Sequence, residues 1–220
     1  MVNGIVYGED PRQGYTESGV FYHPELKFQF PVPSNWRLLN SPTQVQMAPS
    51  DGKALMIFTI AQGSSLQSAA QTMSQDLQLT VADSRSVTIN GLPALEVLSQ
   101  QITQDPSTGQ QNALAVQSMY IQYKSDIYVF HGVSTPQNFA SYDTQFDRTM
   151  SGFRQLTDAS KINVQPEKIK LVSVKSSGSL AQALQAYGIP SNRHKELAIL
   201  NGMETNTQVS AGTSIKIVGK

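Results

Sequence analysis

Between Leu26 and Val133 the apolar residues fall in short runs of period two, cut by turn signals, and no other feature constrains the fold as strongly. Leu26, Phe28 and Phe30 alternate with Lys27 and Gln29, the pattern of a half-buried strand. The segment Pro31-Val-Pro-Ser-Asn35 turns the chain into Trp36. Residues 45–47 and 54–60 predict two further strands around the turn Pro49-Ser-Asp-Gly52. The second of these is apolar throughout, which places it centrally in a sheet. Strand 87–89 meets Asn90-Gly91, a pair suited to the left-handed backbone of a two-residue hairpin, and strand 92–98 follows. A turn is expected at Asp105-Pro-Ser-Thr-Gly109, then strands 113–123 and 127–133 joined through Lys124-Ser-Asp126.

Only two stretches of this region change to helical spacing. Leu66, Ala69, Ala70, Met73 and Leu77 form one stripe behind a capping Ser64 or Ser65. Phe139, Tyr142, Phe146 and Met150 form the other, with Pro136 in the first turn after Ser134 or Thr135. Two helices on one long, mostly hairpin-connected antiparallel sheet predict an α+β domain over 23–157. Residues 1–22, broken by Gly4, Gly8, Pro11, Gly14 and Gly19, read as an extended lead-in that starts abruptly, as a fragment would.

Charge divides the chain. Sixteen Lys and Arg balance sixteen Asp and Glu overall, yet residues 1–155 hold eight basic and twelve acidic side chains, and 156–220 hold eight and four. The polar stretch Thr157-Asp-Ala-Ser-Lys161 before Pro166 is the natural joint between two modules. In the second module, 166–220, a strand at 169–174 precedes a helix marked by Leu180, Ala183, Leu184 and Tyr187 and ended by Gly188 and Pro190. A second helix carries Leu197 and Leu200 and stops at Asn201-Gly202, and strand 215–218 completes a βααβ order.

That order resembles a LysM module. Leu171-Val-Ser-Val-Lys175, the small-residue loop Ser176-Ser-Gly-Ser179, Leu180, Tyr187-Gly-Ile189, Glu196-Leu-Ala-Ile-Leu-Asn-Gly-Met203 and Ala211-Gly-Thr-Ser-Ile-Lys-Ile217 are similar to successive parts of that family. The resemblance implies binding of N-acetylglucosamine glycans, peptidoglycan above all, between two loops. Ser177, Gly178, Ser179 and Leu180 would form one lip, and Asn201, Gly202 and Met203 the other. The first module, through Phe28-Gln-Phe-Pro-Val-Pro-Ser-Asn-Trp36 and the closing Ser151-Gly-Phe-Arg-Gln-Leu156, resembles PsbP-like domains, most of which are non-catalytic adaptors. Together with Gly8-Glu-Asp-Pro-Arg-Gln-Gly14, Phe21-Tyr-His-Pro-Glu-Leu-Lys-Phe28 and Ala48-Pro-Ser-Asp-Gly-Lys53, the pair is similar to the C-terminal region of envelope zinc-dependent HExxH metalloproteases of the Bacteroidetes type. The resemblance implies a cell-envelope location, periplasmic or membrane-anchored through a region outside this chain. It also implies an upstream protease domain, or an envelope protein, as partner, with zinc held by that domain.

The residues themselves carry little catalytic chemistry. With no Cys, thiolate ligands and a Cys nucleophile are excluded. His23, His131 and His194 lie more than 60 residues apart, and His194-Lys-Glu196 lacks the second His of a zinc helix, so no cofactor or metal is expected in this chain. No Gly-x-Ser-x-Gly elbow and no phosphate loop occurs. Zero net charge speaks against a nucleic-acid partner, and no apolar run is long enough for a transmembrane helix. Lys168, Lys170, Lys175, Arg193 and Lys195 read as a solvated face, or as weak attraction to peptidoglycan carboxylates. Three readings stand in order: a non-catalytic region serving localisation or substrate presentation, a pure protein-interaction module without glycan affinity, and an independent hydrolase built on His131.

Overall fold

The computed structural model describes residues 2–104 and 111–220; the expected turn at 105–109 lies outside the described residues. The chain forms two compact units. One is continuous, Gln13–Ile162, and the other joins both ends of the chain, residues up to Arg12 with Asn163–Lys220. Both are α+β, and their strand pairs are antiparallel.

The larger unit opens with β1 (Tyr15–Glu17), β2 (Val20–His23) and β3 (Phe28–Pro31), followed by β4 (Trp36–Asn40), β5 (Gln44–Pro49) and β6 (Ala54–Ala61). Helix α1 (Leu66–Asp76) precedes β7 (Thr80–Ile89), β8 (Leu92–Gln104), β9 (Gln111–Tyr123) and β10 (Asp126–Ser134). Helix α2 (Pro136–Ser151), β11 (Arg154–Gln155) and the short α3 (Ala159–Ile162) finish it. The single expected sheet is in fact two. Strands β4 to β10 form seven strands in the order β4-β5-β6-β10-β9-β8-β7, while β1-β2-β3-β11 form a separate four-stranded sheet. The alternation at Phe28 and Phe30 was strand-like as read, but it serves the smaller sheet.

The reason is aromatic packing. Phe28 and Phe30, with Phe21 stacked on Phe30, turn inward onto Phe58, Tyr128, Phe130 and Phe153, all buried, with ring centroids 4.9–5.4 Å apart. Each buried Phe contributes about 2–3 kcal/mol, enough for a four-stranded layer to hold against the larger sheet. Helix α2 shares this core through Phe146 and Met150. Gly132 of β10 lets it approach: a Cβ there would stand 2.6 Å from the Phe146 ring. Helix α1 packs on a different cluster, with Ala69 and Ala70 against Leu95, Val97, Tyr120 and Val129. Residues alternate across each strand, so the two clusters occupy opposite faces of the seven-stranded sheet. Ser65 caps α1 reciprocally with Ser68, and Asn90-Gly91 makes the β7–β8 turn with φ of 48° and 83°.

The smaller unit contains β12 (Lys168–Ser173), β13 (Gly178–Ser179), α4 (Leu180–Gln185), α5 (His194–Asn201), β14 (Gln208–Val209) and β15 (Ser214–Gly219). Strands β12 and β15 pair, as do β13 and β14. The lead-in expected over 1–22 is divided. Its later part supplies β1 and β2, while residues 3–7 lie along β12. There Gly4 N–H donates to the Ile169 carbonyl, Ile169 N–H to that of Ile5 and Tyr7 N–H to that of Glu167, each at 2.8 Å. These bonds satisfy an edge that a two-stranded ribbon would leave open.

Candidate functional site

The loop after β12 and the stretch after α5 are held together by backbone bonds. Leu180 N–H donates to the Thr207 carbonyl at 2.8 Å and Ala181 N–H to that of Thr205 at 2.9 Å. Ser177 Oγ accepts from Ala211 N–H at 3.0 Å. Ser179 caps α4 in a reciprocal box with Gln182, its N–H donating to Gln182 Oε1 at 2.9 Å. Residues 177–181 are therefore bonded to 205–211, beyond the 201–203 segment expected as the second lip.

The seven residues named from the sequence occupy different environments. Ser177 and Gly202 are exposed, and Gly178, Ser179 and Met203 are half-buried. Leu180 is completely buried in the core with Leu184, Leu197 and Ile215, so its side chain is out of reach of a ligand. Asn201 is committed internally. Its Nδ2 donates to the Leu197 and Lys216 carbonyls, both at 2.8 Å, and its Oδ1 accepts from Lys216 N–H at 2.7 Å. It ties α5 to β15. Gly202 ends the helix in left-handed conformation, φ 67°, and lets Met203 N–H return to the Ala198 carbonyl at 2.9 Å.

The basic residues are partly engaged. Arg193 forms a bidentate pair with Glu167, at 2.7 and 3.0 Å, and a second pair with Glu196 at 3.1 Å. Both acids raise the Arg193 pKa, and Arg193, with the Tyr7 hydroxyl, lowers that of Glu196. Lys175 Nζ stands 4.6 Å over the Tyr187 ring, and Lys170 donates to the carbonyl of Lys220.

The histidines sit apart. His131 faces Ser118 across β9 and β10, with Nδ1 2.8 Å from Ser118 Oγ, and both residues are buried. Burial lowers the His131 pKa to about 4 and raises that of neighbouring Tyr120 to about 12. Among the described residues His131 Nε2 has no hydrogen-bond partner, so no acid there orients this imidazole as a triad requires. His23 accepts from Leu26 N–H at 3.2 Å and is held near pKa 4 by burial, while His194 Nε2 lies 3.0 Å from the Ile189 carbonyl. Among the described residues no group of three or more His, Asp or Glu is placed to hold a metal ion.

One polar cluster escaped the sequence reading. Glu96 is buried on β8, paired with Arg85 of β7, and its Oε1 accepts from Gln117 Nε2 at 2.8 Å. The same Nε2 donates to Asp147 Oδ1 at 2.7 Å. Its one sequence signal is a carboxylate inside the apolar run 92–98.

No family model matches the chain, and no curated protein matches it in sequence. It is similar to the solution structure of cyanobacterial PsbP from Synechocystis, at 11% identity and a TM-score of 0.47, over 65% of this chain and 91% of that one. A Bacteroides thetaiotaomicron crystal structure matches at 11% identity and a TM-score of 0.45, over 93% and 87%. LpqN of Mycobacterium tuberculosis, involved in cell envelope biogenesis, matches at 14% and 0.39, over 59% and 83%.

Proposed function

We propose that this chain is a non-catalytic recognition and presentation region of the bacterial cell envelope. In this reading the smaller unit is a LysM-like reader of N-acetylglucosamine glycans such as peptidoglycan, and the larger one is a PsbP-like adaptor. Both serve a zinc-dependent metalloprotease whose catalytic domain, and zinc, lie upstream. The observation that carries the proposal is the β13–β14 pairing, which sets the loop after β12 beside the stretch after α5. The contact surface is narrower than the sequence implied: Ser177, Gly178, Ser179, Gly202 and Met203, without the side chains of Leu180 and Asn201. Mostly small residues leave recognition to backbone groups and shape, with Met203 supplying an apolar surface for a sugar ring.

The test is an NMR titration of the full chain with chitotetraose and with a muropeptide. Saturable shifts at the amides of residues 177–179 and 202–207 are expected. No shift there at millimolar ligand, with the spectrum of the smaller unit otherwise folded, overturns glycan recognition and leaves the protein-interaction reading in its place.

A further inference from the structure

The larger unit carries a second surface that glycan binding does not use. Strand β7 is the outermost strand of the seven-stranded sheet, and among the described residues it pairs only with β8. Eight of its ten residues are exposed. A bulge between Val81 and Asp83 interrupts the register, and Asp83 Oδ1 accepts from Ser84 N–H at 2.8 Å. Bulges in edge strands re-aim side chains beside sites. Here the bulge borders a cavity of about 170 Å³ lined by Asp83, Ser84, Arg85, Glu96 and Leu98.

The cavity wall has a definite chemical preference. Glu96 lies at depth, its side chain 7% exposed, whereas its partner Arg85 is 71% exposed. A guanidinium on an exposed side chain thus already rests on a buried carboxylate, so the group that the carboxylate accepts is a cation. Gln117, 3% exposed, spends its Nε2 on both Glu96 and Asp147, and its Oε1 has no partner among the described residues. On the wall Asp83 and Glu96 outnumber Arg85 two to one, and Asp147 adds a third carboxylate behind Gln117. The volume is well below the roughly 300–1,000 Å³ of small-molecule pockets and suits one long side chain.

We propose that β7 is a docking edge for an extended segment of a partner protein, which pairs strand to strand with β7 and places a lysine or arginine side chain over Glu96. Main-chain bonds along a free edge supply affinity that any extended peptide can use, and a side-chain cavity supplies selectivity. In the unbound chain Arg85 occupies the carboxylate and competes with the incoming cation. The same bulge and charges would also discourage pairing with a second copy of the chain, so the edge is selective rather than open to all comers.

The test uses the full chain, isotopically labelled, and two blocked heptapeptides of alternating Thr and Val with lysine or norleucine at the centre. The lysine peptide is expected to shift the amides of residues 83–88 and to bind about tenfold more tightly than the norleucine peptide, the ratio falling in 0.5 M salt. Asp147→Asn, at an exposed helix position, and Glu96→Gln should each reduce that preference, and Arg85→Ala should strengthen lysine-peptide binding by removing the competitor. Equal binding of the two peptides, shifts confined to other strands, no binding of either, or weaker binding by Arg85→Ala would each overturn the proposal. Should Glu96→Gln fail to fold, Asp147→Asn and Arg85→Ala still decide it.

Discussion

Replacing Asn201 with Ala separates a structural role from a ligand-binding one. The side chain makes three hydrogen bonds, two to carbonyls and one from Lys216 N–H, and all are lost. At about 1 kcal/mol each, with a further penalty of about 1 kcal/mol for half-buried backbone groups left unpaired, the loss is about 3–4 kcal/mol. A unit assembled from 1–12 and 163–220 has one small core, which rarely supplies more than about 3–5 kcal/mol. Asn201→Ala should therefore leave the smaller unit largely unfolded at 25 °C while the larger unit stays native. In an amide-resolved NMR spectrum the resonances of 166–219 would collapse to random-coil positions as those of 13–162 remain in place. Residue-level hydrogen exchange gives the free energy in milder conditions, read at Lys216 and Ile217. A loss below about 0.5 kcal/mol would refute the reasoning, because it would mean that water replaces the Asn201 bonds at no cost. Loss of glycan binding in this variant would then count as evidence of contact; with the expected unfolding it would not.

Tyr7→Pro removes the N–H that bonds Glu167 and a side chain packed on the small core, and should cost the smaller unit about 2–3 kcal/mol, read as faster exchange at Ile169; unchanged exchange would mean that residues 3–7 add nothing to its stability. Gly132→Ala forces a methyl into the Phe146 ring and should lower the stability of the larger unit by about 1–3 kcal/mol in urea denaturation followed by Trp36 fluorescence, and an unchanged midpoint would refute the close contact. His131 is neutral when folded, with a pKa of about 4 against 6.5 when unfolded. Its contribution is fully present above pH 6.5 and is lost as the pH falls toward 4, by about 3 kcal/mol. Comparing the pH dependence of unfolding with that of His131→Gln isolates this from the similar effect of His23, and equal acid slopes would contradict the burial of the imidazole.

Local chemistry was legible from the sequence wherever it was self-contained. The helix starts were read to within one residue, at Ser65 of the pair Ser64-Ser65 and Thr135 of the pair Ser134-Thr135, while Asn90-Gly91 turns a hairpin, Gly202 ends α5, and period-two runs became strands, because each depends on neighbours within a few residues. The period also told which side of a strand was apolar, but not what would cover it. That Phe28 and Phe30 belong to a second sheet closed by β11 depends on Phe58 and Phe153, far along the chain. Likewise residues 3–7 carry no periodicity, and only the unfilled edge of β12, more than 160 residues away, gives them an extended conformation.

The candidate site residues divide along the same line. In the smaller unit the two helices and the outer strands β12 and β15 were legible, since caps, turns and apolar spacing encode those directly, whereas the short strands β13 and β14 and the bonding of 177–181 to 205–211 were not. Long-range packing alone makes Leu180 a core residue, makes Asn201 a tie between α5 and β15, and brings Glu96, Arg85, Gln117 and Asp147 together. Polar residues on separate strands and a helix carry no local mark of one another. Their meeting is set by the long-range pairing and packing that bury the apolar faces, and the hydrogen bonds follow from where that burial leaves them.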